Sequence, residues 1–312
     1  MIYTVTLNPA LDKTVEIPSF AIDSVNRITA MRTDPGGKGI NVSKVISKLG
    51  GKSIASGILG GATGKTILSA LEDMGLETFF YHAEGETRTN LKVVDKIGHT
   101  NTDINEPGLT VTEELLSRLL KELLAKLKKD DIVVLSGSLP KGAPKNTYET
   151  WVRACREAGV KTILDADGEL LMEGLKASPY LIKPNNHELS RLFGRTIETP
   201  KELEETARKL MKEHGVEKVV VSMGGEGAIY VTEDTTILAE GLKVTVGSTV
   251  GAGDSVVAAL AYAEESGMSL EETVRLSTAT GAANVMCSGT QAAEYEVIKE
   301  LIPKVVFHSL SA

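Results

Sequence analysis

The stretch TEELLSRLLKELLAKLKKDDIVVLSGSLP, residues 112–140, holds one complete unit of the pattern from which the chain is built. Thr112 reads as a helix N-cap, with a hydroxyl able to accept from a first-turn N–H. Leu115, Leu116, Leu119, Leu120, Leu123, Leu124 and Leu127 then fall on one stripe at helical spacing. Ile132–Leu135 is short and continuously apolar, which predicts a strand buried on both faces. Ser136-Gly137-Ser138-Leu139-Pro140 ends that strand in a polar turn.

The same alternation extends in both directions. Toward the C-terminus the pattern predicts helices over Lys145–Ala158, Asn186–Phe193, Lys201–Glu213, Ala252–Ser266, Leu270–Val285 and Glu294–Leu301. Strands are expected at Thr162–Leu164, Tyr180–Ile182, Val219–Val221 and Gly227–Val231. Toward the N-terminus, Ile2–Leu7 and Ser53–Leu59 read as strands, and Gly39–Leu49 and Gly64–Gly75 as helices. Strands alternating with helices imply βαβ units, hence an α/β fold whose mostly parallel sheet is covered on both faces. Two groups of short, half-exposed strands, near residues 12–33 and 78–104, do not fit that sheet. They are expected to form one small extra sheet, built from two excursions of the chain and lying over the active site. No linker or repeat interrupts residues 1–312, which are read as a single domain.

Composition narrows the function. The chain has 312 residues, 34 Lys+Arg against 42 Asp+Glu, and a net charge of −8. That balance argues against a general nucleic-acid binder, although a local cationic pocket can sit on an acidic protein. The two cysteines, Cys155 and Cys287, can make neither a disulfide framework nor a Cys₄ zinc site, and suit a reducing cytosol. The first residues lack the basic-then-apolar pattern of a signal peptide, and no run approaches a membrane span. Gly is abundant at 30 residues, and much of it is clustered.

Those clusters carry the chemistry. Pro35-Gly36-Gly37-Lys38-Gly39-Ile40-Asn41 precedes a helix, so its backbone can approach a ligand closely, with Lys38 and Asn41 alongside. Gly60-Gly61-Ala62-Thr63-Gly64-Lys65-Thr66 resembles a P-loop but has Leu59 where that motif needs glycine, and reads as a turn and helix cap. Ser222-Met223-Gly224-Gly225-Glu226-Gly227 follows a strand but leads into another strand, which excludes the dinucleotide fingerprint. Thr249-Val250-Gly251-Ala252-Gly253-Asp254-Ser255 opens an apolar helix. The N–H groups of Gly251, Ala252 and Gly253 can hold an anion there. Asp254 is either an ordinary cap or a base that takes a hydroxyl proton while the turn holds a phosphoryl group. Asn185 and Glu188, three apart, either hold a hydrated Mg²⁺ or form a polar pair at a helix start. Asp165 ends a strand and reads equally as structural. The five histidines show no metal-binding spacing.

Asn8–Asp12, Gly36–Gly39 with Asn41, Ser136–Pro140, Lys183-Pro184-Asn185 with Glu188, Ser222–Gly227 and Gly251–Asp254 occur in that order. In this combination the chain resembles the PfkB (ribokinase-like) carbohydrate kinases over essentially its whole length. Thr4–Asp12 and Gly85–Asn90 resemble the branch that acts on sugar phosphates. The resemblance implies a three-layer α/β/α sandwich with a β-sheet lid, and ATP and Mg²⁺ as cofactors. It implies phosphorylation of fructose 1-phosphate to fructose 1,6-bisphosphate in the cytoplasm. Tagatose 6-phosphate, or a non-catalytic sugar-phosphate sensor, is the alternative. Asp254 would then be the general base and Gly251, Ala252 and Gly253 the anion hole. Asp12, Gly37 and Asn41 would grip sugar hydroxyls, with Ser138 also at the substrate. Arg88 and Lys38 would meet the substrate phosphate. Lys183, Asn185, Ser222, Gly224 and Gly227 would line the ATP site, and Glu188, with Asn185 through water, would organise Mg²⁺. The lid of some relatives packs on a second subunit, which implies a homodimer with Arg27 acting across it.

Overall fold

Continuous apolar runs need cover on both faces, and here they become the middle of a ten-stranded sheet. In the computed structural model, which describes residues 1–310, the chain begins with β1 (Ile2–Thr6), β2 (Ala10–Ile17), β3 (Ala30–Gly36), α1 (Lys38–Lys48) and β4 (Ser53–Gly60). It continues with α2 (Gly61–Asp73), β5 (Glu77–Ala83), β6 (Arg88–Asp95), β7 (Thr100–Asn105), α3 (Glu113–Lys126) and β8 (Ile132–Ser136). Next come α4 (Thr147–Glu157), β9 (Lys161–Asp165), α5 (Gly168–Leu175), β10 (Leu181–Ile182), α6 (Asn186–Phe193) and α7 (Pro200–His214). The last part holds β11 (Lys218–Ser222), β12 (Gly227–Val231), β13 (Thr236–Glu240), α8 (Ala252–Glu265), α9 (Leu270–Val285), α10 (Tyr295–Leu301) and β14 (Phe307–Leu310).

The strand order is β14-β13-β12-β11-β10-β9-β8-β1-β4-β5. From β5 through β11 every neighbouring pair is parallel, and β12, β13 and β14 are added antiparallel. Alternation along β8 explains the layers. Val133 and Leu135 point into one core, with Leu119, Trp151, Leu171, Leu189 and Leu203 from α3 to α7. Ile132 and Val134 point into the other, with Val42, Val257, Ala279 and Ile298 from α1, α8, α9 and α10. The result is the expected α/β/α sandwich. The chain leaves β1 toward β4 on one side and returns with β8 on the other, so the strand order reverses at β1. Ligands of open α/β sheets bind beyond the strand ends at such a point.

A second, four-stranded sheet runs β3-β2-β6-β7, with β2 and β6 parallel and the outer pairs antiparallel. It is built from two excursions, as expected, but its membership needs one correction. Residues 78–81 belong to β5, an edge strand of the central sheet paired with β4. There Phe79 and Tyr81 pack on the α3 side of the core. An edge strand is half exposed, so its pattern mimics a strand of a small sheet. Helix α5 and strands β13 and β14 have no counterpart in the sequence reading. They are short, and β14 lies at the sheet edge with half-buried or exposed residues throughout.

Helix α8 is tied down at its C-terminal end. Glu264 accepts hydrogen bonds from Lys161 Nζ (2.6 Å), Lys218 Nζ (2.6 Å) and the Tyr180 hydroxyl (2.7 Å). Burial opposes the charge, but these three donors outweigh it and hold the carboxyl at about 2, from an ordinary value of 4.5. A depressed carboxyl stabilises the fold above its unfolded value and loses that contribution as pH falls toward the folded one. Glu264→Gln is therefore expected to lower the melting temperature at neutral pH. The gap to wild type should close as pH falls from about 4.5 toward 2. Thermal melts across the acid range check this, and a gap independent of pH would remove the ionic explanation.

Candidate active site

Beyond the ends of β1 and β8, under the small sheet, lies a cavity of about 480 Å³. The N-terminus of α1 reaches it because Gly39 lets the helix approach β1 closely. A Cβ there would stand 2.5 Å from Thr6 Oγ1 and 2.8 Å from the Val5 carbonyl oxygen. Thr6 Oγ1 accepts from the Ile40 N–H at 3.0 Å and fixes the contact. Asn41, one turn into the helix, thereby faces the start of α8.

Gly251 caps α8 with φ +81°, a conformation that favours glycine, and turns the chain so that the first-turn amides face outward. Among the described residues the amides left without a backbone acceptor at this helix start are those of Gly251, Gly253 and Asp254, while that of Ala252 makes a long contact, 3.4 Å, to Thr249 O. Asp254 is buried, and its Oδ2 accepts from Asn41 Nδ2 at 2.8 Å. Burial, then the negative charge of Asp165, push its carboxyl up to about 6, against the pull of Lys38, Asn41 and Lys183.

Asp165, at the end of β9, is a buried carboxylate shared by two lysines. Its side chain lies 3.2 Å from Lys38 Nζ and 3.5 Å from Lys183 Nζ. Burial disfavours its charge, but the two ammonium groups prevail and hold its carboxyl below the usual range. Lys38 is correspondingly raised, since Asp165 and Asp254 outweigh its burial. Lys38 lines the cavity as expected, yet its ion pair is with Asp165.

The small-sheet side of the cavity presents Asp12, Arg88 and Asn90. Asp12 Oδ1 accepts from Asn90 Nδ2 at 3.0 Å, and burial raises its carboxyl despite that bond. Arg88 Nη2 donates to Asn8 O at 3.0 Å, and its buried Nε has no partner in the protein. Asn8 Nδ2 donates to Ser138 Oγ at 3.2 Å, so one residue links Arg88 to the turn after β8. The structure brings Asp12, Gly37, Lys38, Asn41, Arg88, Ser138, Gly251 and Asp254 to one cavity. Arg27 is not among them; it is exposed in the loop between β2 and β3. Asn8 and Asp165 carry a sequence signal only as members of polar clusters at strand ends, and Asn90 only as part of Gly85–Asn90; no individual role is expected for any of the three.

A second cavity, of about 520 Å³, opens on the other side of the α8 N-terminus. Ser222, Gly224 and Gly227 line it, with Leu242, Val244, Val256 and Val285 as apolar walls. Ala252 and Gly253 face this cavity, whereas Gly251 and Asp254 face the first. One turn of helix thus stands between an apolar-walled cavity and a polar cavity carrying cations. Lys183 lies under the partition, its Nζ 3.4 Å from where a Gly253 Cβ would be. Asn185 caps α6, with Oδ1 accepting from Glu188 N (2.8 Å) and Glu188 Oε2 accepting from Asn185 N (2.9 Å). These two residues form the helix-start pair and line neither cavity.

Residues 6–296 match the pfkB family of carbohydrate kinases. The 1-phosphofructokinase of Bacillus subtilis is 39% identical, covering 98% of each chain. That of Escherichia coli K12 is 37% identical over 89% of each. The crystal structure of phosphofructokinase-2 from Escherichia coli in complex with fructose-6-phosphate superposes with a TM-score of 0.91 at 32% identity, over 97% of this chain and 98% of that one. The chain belongs to the pfkB carbohydrate kinases. Kinases of this family use ATP as co-substrate. Among the described residues no helix is long and apolar enough to cross a membrane.

Proposed function

We propose that the protein transfers the γ-phosphoryl group of ATP to fructose 1-phosphate, forming fructose 1,6-bisphosphate. The observation that carries this reading is the first turn of α8 standing between the two cavities. Phosphoryl transfer needs positioning and charge stabilisation more than covalent chemistry. A nucleotide in the apolar cavity would direct its phosphates at Gly253 and Lys183. A sugar in the polar cavity would hold its acceptor hydroxyl at Asp254, which takes the proton as the amides receive the phosphoryl charge. Asp12 and Asn41 would position hydroxyls; the buried Asn41 Oδ1 has no partner in the protein and can accept from one. Arg88, with an unpartnered Nε, would meet the substrate phosphate.

Mg²⁺ fits this site through phosphate oxygens and water. Among the described residues no three His, Cys, Asp or Glu side chains converge on a metal position. A hydrated Mg²⁺ needs only one or two carboxylates beside the phosphates. Glu188, outside both cavities but close enough for its charge to act on Lys38, retains one oxygen beyond its bond to Asn185 N and would hold the ion through water, with Asn185 assisting. When bound, Mg²⁺ neutralises phosphate charge. The reading includes a cytoplasmic location and a homodimer through the small sheet, with Arg27 in its loop.

An ADP-release assay over a panel of phosphosugars tests the proposal. Fructose 1-phosphate is expected to turn over best. Turnover of tagatose 6-phosphate alone would replace the substrate, and no turnover would favour a sensor. In the same assay Arg88→Ala is expected to raise the phosphosugar KM by about 10–100-fold, as loss of a charge-assisted hydrogen bond implies, while KM for ATP stays put. An unchanged phosphosugar KM removes Arg88 from the phosphate.

A further inference from the structure

Register assigns the small sheet's two faces. Leu91, Val93, Val15 and Ile17 cluster on one. The other, turned to the polar cavity, carries a row in which Lys92 stands between Thr14 of β2 and Asp103 of β7, with Arg32 of β3 beyond Thr14. Within the strands three cations stand on this face, Arg32, Arg88 and Lys92, while Lys96, just past β6, is paired with Glu16 at 2.9 Å. Arg32 is committed, since Nε donates to Asp34 Oδ2 at 2.7 Å and Nη2 to Ser288 O at 3.0 Å. Arg88 spends one nitrogen on Asn8 O. Lys92 makes no hydrogen bond within the described residues; Asp103 Oδ1 is 3.8 Å from its Nζ. That pair is weak, because the Asp103 side chain is 56% exposed whereas that of Lys92 is only 19% exposed. Its stem is largely covered while its ammonium, with three donors and no hydrogen bond, opens on the cavity, where it can take an anionic partner.

We infer that Lys92 is a specificity-determining residue, the second cation, with Arg88, that selects a sugar carrying a phosphate over the unphosphorylated sugar. The inference rests on the phosphosugar reading above. Arg88 and Lys92 are four residues apart on β6, about 13 Å along an extended strand. Both line the polar cavity with Asn90 between them in the strand, so a phosphate bound there would be met by Arg88 from one end and Lys92 from the other. The Asp103 carboxylate, beside Lys92 but weakly paired with it, repels an arriving phosphate.

The test is calorimetric binding of fructose 1-phosphate and of fructose, without ATP, to wild type, Lys92→Ala, Lys92→Arg, Asp103→Asn and the Lys92→Ala/Asp103→Asn double variant. Lys92→Ala is expected to weaken fructose 1-phosphate binding about tenfold and leave fructose unaffected. Lys92→Arg should restore most of the loss. Asp103→Asn should tighten phosphosugar binding, and that gain should persist in the double variant. Equal loss for both sugars would mark a structural role and overturn the inference. Unchanged fructose 1-phosphate affinity in Lys92→Ala, or no binding to wild type, would overturn it too. Wild-type binding that depends on Lys92, without turnover in the ADP-release assay, would leave Lys92 in place and overturn the kinase reading instead.

Discussion

Asp254→Asn is expected to reduce turnover by about 10²–10⁴-fold, the range for loss of a general base, with ATP affinity near that of wild type. Asparagine keeps the shape of the side chain and loses only the ability to take a proton. ATP affinity is preserved because Ala252 and Gly253, not Asp254, face the apolar cavity. In the wild type the base form requires a deprotonated carboxyl. With that group pushed up to about 6, kcat should fall as pH drops below this value and approach a tenfold loss per pH unit. Steady-state kinetics over the acid range measure both effects. Near-normal turnover in the variant would release Asp254 from the role.

Asp165→Asn is expected to cost about 3–5 kcal/mol of stability, the scale for breaking a buried ion pair by removing one partner. The variant leaves Lys38 and Lys183 facing each other without their shared counter-charge. Denaturant titration measures the loss. A second readout separates this from simple damage. After burial, Asp165 is the main influence raising the Asp254 carboxyl. Without it, the two lysines pull that carboxyl down, so the acid limb of the kcat profile should move below pH 6. An unmoved limb would mean that the two carboxylates do not communicate.

These two residues differ in how visible they are in the sequence. Asp254 follows Gly251-Ala252-Gly253 at the start of an apolar helix, so local chemistry alone marks it. Asp165 is one aspartate at the end of a short strand. Its importance arises from Lys38 on α1 and Lys183 after β10, and nothing local announces that they converge. Lys38 shows the same limit from the other side: its glycine-rich setting marks a cation near a ligand, but nothing local announces its ion pair with Asp165. Continuous apolar runs such as Ile132–Leu135 made the central sheet readable, because a strand buried on both faces has no other use for them. Residues 78–81 were harder, since an edge strand and a small-sheet strand expose similar surface. For Lys92, short strands are expected near residues 78–104, but only the register of β6 with β2 and β7 reveals the face on which it stands.

The parallel pairing of β2 with β6 constrains how the molecule assembles. Asp12 and Asn90, which meet across that pairing, are 78 residues apart in the chain. Closing so long a loop is slow relative to forming local contacts, because its entropic cost precedes the reward. The β2–β3 hairpin must wait, with one edge unpaired, while β4, α2 and β5 form and bring β6 alongside. On the ribosome the substrate cavity therefore gains its roof only after residue 105 has emerged, making this late-joined seam the stretch where a nascent chain is most exposed to pairing with a neighbour.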